Sequence, residues 1–311
     1  MSRAGRATVS VAIATRERPE PLRRVLEALT TADVRPTEIV IADQSADDRS
    51  EKIVREWAND EIEIRYVSDH RTGLGVAQNL AFSQTRCQIV AVTDDDCVPA
   101  PDWLAVINEL FASHPEIGAV TGRVLPLVAD DSDLVPVASR TSVRRRTFSR
   151  RAVPWEVGSG NNFAIRRNWL DLIRGNDERL GPGSPGQGGV DMDFFYRLLR
   201  AKAQIRYDPA CIVCHTRATS EERLARRAPY GHGIGAGVAI WLRDGDLYAL
   251  WILVRWLSLR SRRLFRGVVR LDWRLAHEEV LVLRGTVRGF AFGLRTGRER
   301  PTSYQPSGRL D

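Results

Sequence analysis

Lysine is almost missing from this 311-residue sequence. Lys52 and Lys202 are the only two, so nearly all of its basic side chains are arginines. A long apolar run is missing as well. The longest candidate, "LYALWILVRWLSL", is interrupted by Arg255 and falls short of the roughly 20 apolar residues that a bilayer-spanning helix needs. The sequence therefore predicts no transmembrane segment.

An export signal and a rich set of cysteines are also lacking. The first residues, "MSRAGRATVSVAIATRER", contain only a short apolar run that Arg16 and Arg18 close, which is not the pattern of a secretory signal. Four cysteines in a chain without such a signal are most simply reduced thiols. We therefore expect a cytoplasmic protein, either free or peripheral at the inner face of the cell membrane.

The positive charge is concentrated in one part of the chain. The formal net charge is +7, but residues 216–311 hold 18 arginines and 9 acidic residues, whereas residues 1–215 hold 28 basic and 30 acidic residues. This asymmetry favours a tail that meets an anionic lipid surface over a nucleic-acid-binding fold. The alternative is a solvated helical surface.

Short apolar runs alternate with helical patterns over the first hundred residues. Four runs are predicted strands and end in polar residues: "TVSVAIAT", "TEIVIADQS", "IEIRYVSD" and "CQIVAVTDDD". This alternation is typical of an α/β fold with a mostly parallel sheet flanked by helices. Ligands bind such sheets at the carboxyl ends of the strands, which here are Thr15, Asp43, Asp69 and Asp94–Asp96.

Three adjacent carboxylates follow the fourth strand in "AVTDDDCVPAPDWL". In an extended segment alternate residues share a face, so Asp94 and Asp96 point together and Asp95 points away. Hard oxygen ligands of this kind suit Mg²⁺ or Mn²⁺ holding substrate phosphates. The alternative is a cluster at the start of the next helix, where Asp102 is expected to act as the N-cap.

Five segments, in order, resemble family 2 glycosyltransferases of the nucleotide-sugar-binding fold called GT-A. The resemblance extends from residue 8 to about 217. The segments are "VAIATRERPEPLRRVLEAL", "EIVIADQSADD", "VTDDDCVPAPDW", "GSGNNFAIRR" with "GNDERLGPG", and "GGVDMDFFYRLLRA". The resemblance implies an inverting transfer of a sugar from a nucleoside diphosphate sugar to an acceptor hydroxyl, with a divalent metal as cofactor.

The same resemblance assigns roles to residues at the strand ends. It implies that Thr15, Glu17, Asp43, Asp94 and Asp95 bind the nucleotide sugar. It implies that Asp96 and His215 bind the metal, and imidazole is a reasonable ligand for Mn²⁺. An aspartate after the second strand also has a rationale of its own, because it can accept from a ribose hydroxyl or a base N–H.

Asp191 is the predicted general base. Attack of an acceptor hydroxyl on the anomeric carbon needs a carboxylate to take the proton and a cation to hold the leaving charge. The family usually has an acidic pair here, and this chain has Val190 before Asp191. Asp193 is therefore a rival for the role, although it lies in the first turn of a predicted helix. Asn162 and Asp193 are the candidates on the acceptor side.

The rest of the chain divides into loops and a helical tail. Residues 129–155, which contain "VRRRTFSRR", and "GPGSPGQGG" at 181–189 are predicted loops. The first is a candidate to receive an anionic acceptor, and the second to close over the site. We predict a catalytic domain at 1–217 and a basic amphipathic helical region at 218–311, which either lies on a membrane or packs on the catalytic domain or a second subunit.

"CIVCH" at 211–215 matches patterns for haem attachment, zinc binding and redox activity. In an extended strand Cys211 and Cys214 point to opposite sides, so they do not bind one metal together, and His215 is the residue of interest.

A nucleotidyltransferase-like phosphosugar enzyme and a non-catalytic nucleotide-sugar-binding relative compete with the transferase hypothesis. Nucleotidyltransferases usually have a glycine-rich turn after the first strand. The corresponding segment here, "TRERPEP", has no glycine, which argues against that alternative.

Overall fold

The computed structural model describes residues 8–57, 62–127, 134–137 and 139–306. Its first half alternates strand and helix as the sequence predicts. These elements are β1 (Val9–Thr15), α1 (Pro19–Thr30), β2 (Glu38–Asp43), α2 (Arg49–Trp57), β3 (Glu63–Ser68), α3 (Leu74–Gln84) and β4 (Ile89–Thr93). The four predicted strands are therefore confirmed.

The second half adds antiparallel strands and then helices alone. Its elements are β5 (Cys97–Pro99), α4 (Trp103–Ser113), β6 (Ile117–Pro126), β7 (Arg146–Phe148), α5 (Pro154–Val157), β8 (Asn162–Arg166), α6 (Arg167–Ile173), α7 (Val190–Arg200), β9 (Gln204–His215), α8 (Ser220–Ala225), α9 (Arg227–Arg243), α10 (Tyr248–Val269) and α11 (Trp273–Arg295).

The strands form one mixed sheet in the order β3-β2-β1-β4-β8-β6-β9-β5, with β7 paired to β9. The first four strands are mutually parallel, β8 is antiparallel to both of its neighbours, and β6 runs parallel to β9. Antiparallel pairing of β5 with β9 places Cys97 opposite His215. This pairing joins two segments that are far apart in sequence at one edge of the site.

Strands β1, β2 and β4 read as nearly continuous apolar runs because helices cover both faces of the sheet. One core contains Leu22, Leu26, Ile53 and Trp103 from α1, α2 and α4. The core on the opposite face contains residues of α3, α6 and α7, including Phe82, Leu170, Phe194 and Phe195. Burial on both sides fixes the strand register, and with it the positions of the polar residues at the strand ends.

The predicted loop at 129–155 has more structure than expected. The predicted loop at 129–155 contains β7 and the start of α5, and its residues 129–133 and 138 lie outside the described part of the chain. The segment that contains "CIVCH" is one long strand, β9. Its pairing with β6 shifts register between Gly122 and Arg123. The loop at 181–189 is confirmed, since it contains no helix or strand.

The C-terminal helices pack by close backbone contact between α9 and α11. A Cβ atom built on Gly235 would lie 2.1 Å from the carbonyl oxygen of Thr286, and one on Gly289 would lie 1.9 Å from that of His232. Both distances are far below van der Waals contact, so only glycine fits. Within the described residues, no helix is long and apolar enough to cross a bilayer.

Residues C-terminal to position 217 share a core with the first part of the chain. Trp241 of α9 stacks on Tyr196 of α7 with ring centroids 3.7 Å apart. After α11 the chain returns to the sheet, where Tyr304 is buried and donates a hydrogen bond to Asp171. The division at 217/218 stays a prediction about chain organisation, and in space the two parts are packed together.

Candidate active site

Asp94, Asp95 and Asp96 form a turn between β4 and β5, the acidic turn, at the carboxyl end of the sheet. Ligand atoms of Asp94, Asp96, Cys97 and His215 all lie within 4.8 Å of one another, as expected for Asp94 and Asp96 sharing a face. The alternative of a helix N-terminal cluster is wrong, because β5 separates these carboxylates from α4. Asp102 does occupy the N-cap of α4, but its side chain accepts no capping hydrogen bond.

His215 is held in an orientation that suits a metal ligand. Its Nδ1 lies 2.6 Å from the carbonyl oxygen of Thr216. A carbonyl only accepts, so Nδ1 carries the proton and the neutral ring has its lone pair on Nε2. That Nε2 lies 3.5 Å from Oδ1 of Asp96. A lone pair and a carboxylate oxygen that face each other fit a cation between them, and the donor set of carboxylates and imidazole fits Mn²⁺.

Asp95 points away from this cluster, as alternation predicts. Its Oδ2 accepts a hydrogen bond of 2.8 Å from Thr15 Oγ1, and its Oδ1 lies 3.2 Å from Nη1 of Arg18. Burial raises the pKa of Asp95 to about 6, although Arg18 and Thr15 oppose the rise. Two of the predicted nucleotide-sugar ligands, Thr15 and Asp95, therefore contact each other and fix the β1 end against the acidic turn.

Asp43 lies at the end of β2 but is only 1% exposed. Its Oδ1 accepts from the backbone N–H and the hydroxyl of Ser45, and its Oδ2 accepts from Tyr66 at 2.8 Å. Ser45 in turn accepts from the N–H of Glu17, an exposed residue with a φ of 56°. A nucleoside that contacts Asp43 would have to take the place of one of these hydrogen bonds.

Asp191, the predicted base, lies in the first turn of α7, and its charge acts on Asp94. Its Oδ1 accepts from the N–H of Met192 and its Oδ2 from the N–H of Gly160 at 3.3 Å. No cationic side chain in the described part of the chain pairs with it. Burial raises the pKa of Asp191, and these backbone hydrogen bonds only partly offset the rise. A carboxylate with a raised pKa and no cation is suited to accept a proton.

Asp94 links the two halves of the pocket. Burial is the main reason why the pKa of Asp94 is raised, and the charges of Asp96, Asp95 and Asp191 raise it further. The carboxylate of Asp191 is thus near enough to act on the acidic turn. No described side chain donates a hydrogen bond to Asp94. The pocket therefore concentrates negative charge that a bound cation would compensate.

Asn162 and Asp193, the acceptor-side candidates, are committed to structural contacts. Asn162 is fully buried, accepts from Trp103 Nε1 at 2.9 Å and donates to the carbonyl oxygens of Arg123 and Cys211. Asp193 is 1% exposed and holds Arg197 and Trp241 at 2.7 and 2.8 Å. Neither side chain offers an open atom toward Asp191.

The cysteines behave as the alternation in β9 predicts. Cys211 is fully buried beside Asn162 and Cys214 is half-buried. All four cysteines are free thiols. The haem, zinc-knuckle and redox interpretations of "CIVCH" therefore have no structural support, and His215 is the member of that motif that reaches the pocket.

Sequence reasoning missed two side chains that touch the acidic turn. Arg18 reaches across from the β1–α1 turn and lies 3.0 Å from Oδ2 of Asp96 as well as near Asp95. Cys97 directly follows Asp96 and lies in the candidate metal cluster, opposite His215 in the pairing of β5 with β9. The contact of Arg18 has no signal in the local sequence, since it depends on how distant segments meet.

Asn161 and Arg71 are two further polar residues at the same edge of the sheet. Asn161, next to Gly160, was not predicted, and its buried Oδ1 has no hydrogen-bond partner among the described residues. Arg71, three residues after the end of β3, is exposed and pairs with Asp69. The structure therefore gives Arg71 no contact with the acidic turn.

The model of the family described as "Glycosyl transferase family 2" matches residues 10–173, which is just over half of the chain. Pre-mycofactocin glycosyltransferase of Mycobacterium tuberculosis is 27% identical over 263 residues, covering 79% of this chain and 52% of that protein. Glycosyltransferase AglE of Haloferax volcanii is 24% identical over 267 residues, covering 80% and 81%. The chain thus spans about half the length of the Mycobacterium relative.

Two solved structures share the fold. A mannosyltransferase of Pyrobaculum calidifontis in complex with GDP-Man and Mn²⁺ has a TM-score of 0.62 at 17% identity, covering 92% of this chain and 88% of that one. Staphylococcus aureus TarS 1–349 in complex with UDP-GlcNAc has a TM-score of 0.63 at 14% identity, covering 91% and 81%. The coverage extends beyond the family match into the C-terminal helices.

Proposed function

The chain belongs to glycosyl transferase family 2, and from this premise we propose that it transfers a sugar from a nucleoside diphosphate sugar to an acceptor hydroxyl with inversion. One observation carries the proposal. The carboxylate of Asp191, which has no cationic partner among the described residues, accepts from Gly160, and Asn162 two residues later pairs with Thr93, the residue before Asp94. The charge of Asp191 also raises the pKa of Asp94. A base and a cation-binding set in one pocket are what a single displacement requires.

The residues divide the chemistry between them. Asp191 accepts the proton of the acceptor hydroxyl while the new bond forms from that oxygen to the anomeric carbon. The bond from the anomeric carbon to the diphosphate breaks on the opposite face, and a nucleoside diphosphate leaves. Hydrogen bonds from Gly160 and Met192 hold the carboxylate in place. Because attack and departure occur on opposite faces, one displacement inverts the anomeric centre.

A divalent cation fits the other side of the pocket. Asp96 and His215 would hold it, with Asp94 beside them, and when bound it would neutralise charge that develops on the departing diphosphate. Arg18 contacts both Asp95 and Asp96 and keeps the turn in position. Thr15, Glu17, Asp43 and Asp95 remain the predicted contacts of the donor, with Asp43 buried behind Ser45 and Tyr66.

The acceptor is a hydroxyl on a glycan, a glycolipid or a small molecule. Relatives include a "Glucosyl-dolichyl phosphate glucuronosyltransferase" of Haloferax volcanii, 23% identical over 178 residues, whose name describes a lipid-linked substrate. The basic helices after residue 217 support a peripheral position on a membrane. We therefore propose a lipid-linked or glycan acceptor that the enzyme meets at the cytoplasmic face.

A donor screen tests the proposed function. UDP-, GDP- and dTDP-sugars with Mn²⁺ are offered to the protein, and a preferred donor should raise its melting temperature by mass action. The preferred donor is then supplied with candidate acceptors, and the anomeric configuration of the product is determined by NMR. Inversion is expected. A product with retained configuration would contradict the single displacement, and the absence of any donor effect would contradict sugar transfer itself.

A further inference from the structure

The outer face of α10 has large apolar side chains that nothing covers, in two groups with Ser258 and Ser261 between them. Trp251, Val254, Phe265 and Val269 are 41%, 63%, 71% and 63% exposed. At 100° per residue these four positions lie on one side of the helix, opposite the buried Ile252, Trp256 and Arg260. Soluble proteins rarely leave such a row of large side chains in water. The row runs along a helix of 22 residues, which is about 33 Å.

Arginines border this face on one side. Helix α10 contains five arginines and no acidic residue. Arg260 and Arg263 turn inward to Glu279. Arg255, Arg262 and Arg266 flank the apolar row, and among the described residues no carboxylate pairs with any of them. Long arginine side chains in this position extend their charge toward phosphate headgroups while their stems cover apolar surface.

A small basic cavity of about 280 Å³ adjoins the same face. Arg146 and Arg151 from the segment before α5 line it together with Trp251 and Arg255 of α10. One carboxylate, Glu156, also lines it and lies 3.5 Å from Arg146. The guanidinium of Arg255 lies 5.6 Å from the ring of Trp251. The cavity has the size and charge to receive one phosphate headgroup.

We propose that the outer face of α10 and this cavity form a docking surface for an anionic lipid bilayer. The helix lies in the plane of the interface, with Trp251, Val254, Phe265 and Val269 among the acyl chains and the arginines at the headgroups. A phosphate headgroup occupies the cavity between Arg146, Arg151 and Arg255. This docking surface specifies which part of the protein would contact the membrane in the predicted peripheral location. It does not depend on the proposed sugar transfer.

The charge distribution favours lipid over a second copy of the chain. A copy laid against the same face would bring three more unpaired arginines and, from α10, no acidic partner for them. Anionic lipids provide the missing charge, at about 1 kcal/mol for each arginine near the surface. The surface also adjoins α5, which is followed within three residues by Gly160, the hydrogen-bond partner of Asp191. Docking would therefore place the base side of the pocket near the membrane.

Vesicle co-sedimentation without donor or acceptor tests the proposal. The full chain should bind vesicles that contain phosphatidylserine and bind phosphatidylcholine vesicles much less. Combining Arg255→Gln, Arg262→Gln and Arg266→Gln should weaken binding on the order of 100-fold, since each arginine is worth roughly fivefold. Val254→Asp should also weaken vesicle binding, because it places a charge among the side chains that contact the acyl chains. Matched controls are the exposed Arg24→Gln and Leu172→Asp, which lie on α1 and α6 and should leave binding unchanged.

Two outcomes would overturn the docking surface. Equal binding of the wild type and the triple variant to phosphatidylserine vesicles, or no binding by the folded wild type, would contradict it. A dimer in light scattering that Val254→Asp dissociates, without vesicle binding, would assign the face to a second copy. Melting temperatures of all variants confirm folding. Since no sugar donor is present, failure here is distinct from failure of the transferase proposal.

Discussion

Carboxylates that are buried or half-buried occur in two regions of this molecule, and their surroundings are opposite. In the C-terminal helices, Glu278 and Glu279 are 3% and 0% exposed and each lies near three arginines. In the pocket at the strand ends, the described partners of Asp191 are backbone N–H groups, and Asp94 has no side-chain donor among the described residues. Carboxylates withdrawn from water in a structural role are normally paired with cations. Asp94 and Asp191, which are half-buried and lack such partners, therefore mark the candidate functional site.

The largest expected effect concerns Asp191. Asp191→Asn should lower the rate of sugar transfer by about 10²- to 10⁴-fold, because a general base contributes that much. The protein should remain folded, since the variant removes a half-buried charge that has no cationic partner among the described residues. Transfer rate and melting temperature are measured together. A variant with full activity would place the base elsewhere.

The matched substitution in the C-terminal helices, at Glu279, should lower the stability of the protein. Glu279→Gln should destabilise the protein by about 3–5 kcal/mol, because Arg227, Arg260 and Arg263 lose their shared partner. Urea denaturation measures the change. If Glu279→Gln were neutral and Asp191→Asn strongly destabilising, the contrast between the two regions would be lost.

The close contact between α9 and α11 predicts a smaller loss of stability. Gly289→Ala should cost about 1–3 kcal/mol, the usual range for overpacking, because its Cβ would collide with the carbonyl oxygen of His232. Gly297→Ala is the control, since nothing lies within 4 Å of a Cβ there. Denaturation midpoints of the two variants should differ, and identical midpoints would contradict the close approach of α9 and α11.

The smallest expected effect is a dependence on pH. Burial raises the pKa of Asp191 in the folded protein, so the ionised carboxylate costs stability at neutral pH, and the cost disappears as pH falls through the raised pKa toward the ordinary value of about 4. Asp191→Asn should therefore be more stable than the wild type at pH 7, with a difference that shrinks on acidification. A difference that grows toward low pH would show that the pKa of Asp191 is lowered instead.

Alternation along strands was sufficient to predict part of the pocket. Asp94 and Asp96 face together, Asp95 turns to Thr15, and His215 points inward because each lies in or next to a strand whose register burial fixes. Asp191 followed from the resemblance of its segment. These predictions depend on local geometry and on motifs, both of which a single sequence contains.

The remaining features depend on contacts between distant segments. His215 meets Asp96 and Cys97 through the pairing of β5 with β9, and the long side chain of Arg18 reaches Asp96 from the turn after β1. Asn162 and Asp193 were predicted on the acceptor side, but Trp103 and Trp241, distant in sequence, occupy their side chains. No local pattern specifies such partners, because tertiary packing determines them.

Cation binding at the Asp94–Asp96 turn, beside the unpaired carboxylates of Asp94 and Asp191, tests the central claim most directly. Mn²⁺ is titrated into the full chain in the presence of UDP, GDP or dTDP, and bound metal is followed by electron paramagnetic resonance and calorimetry. We predict one Mn²⁺ per chain, lost in Asp96→Asn, weakened in His215→Ala and unchanged in Cys211→Ser. Equal Mn²⁺ binding by the wild type and Asp96→Asn, or no binding with any of the three nucleotides, would contradict the account.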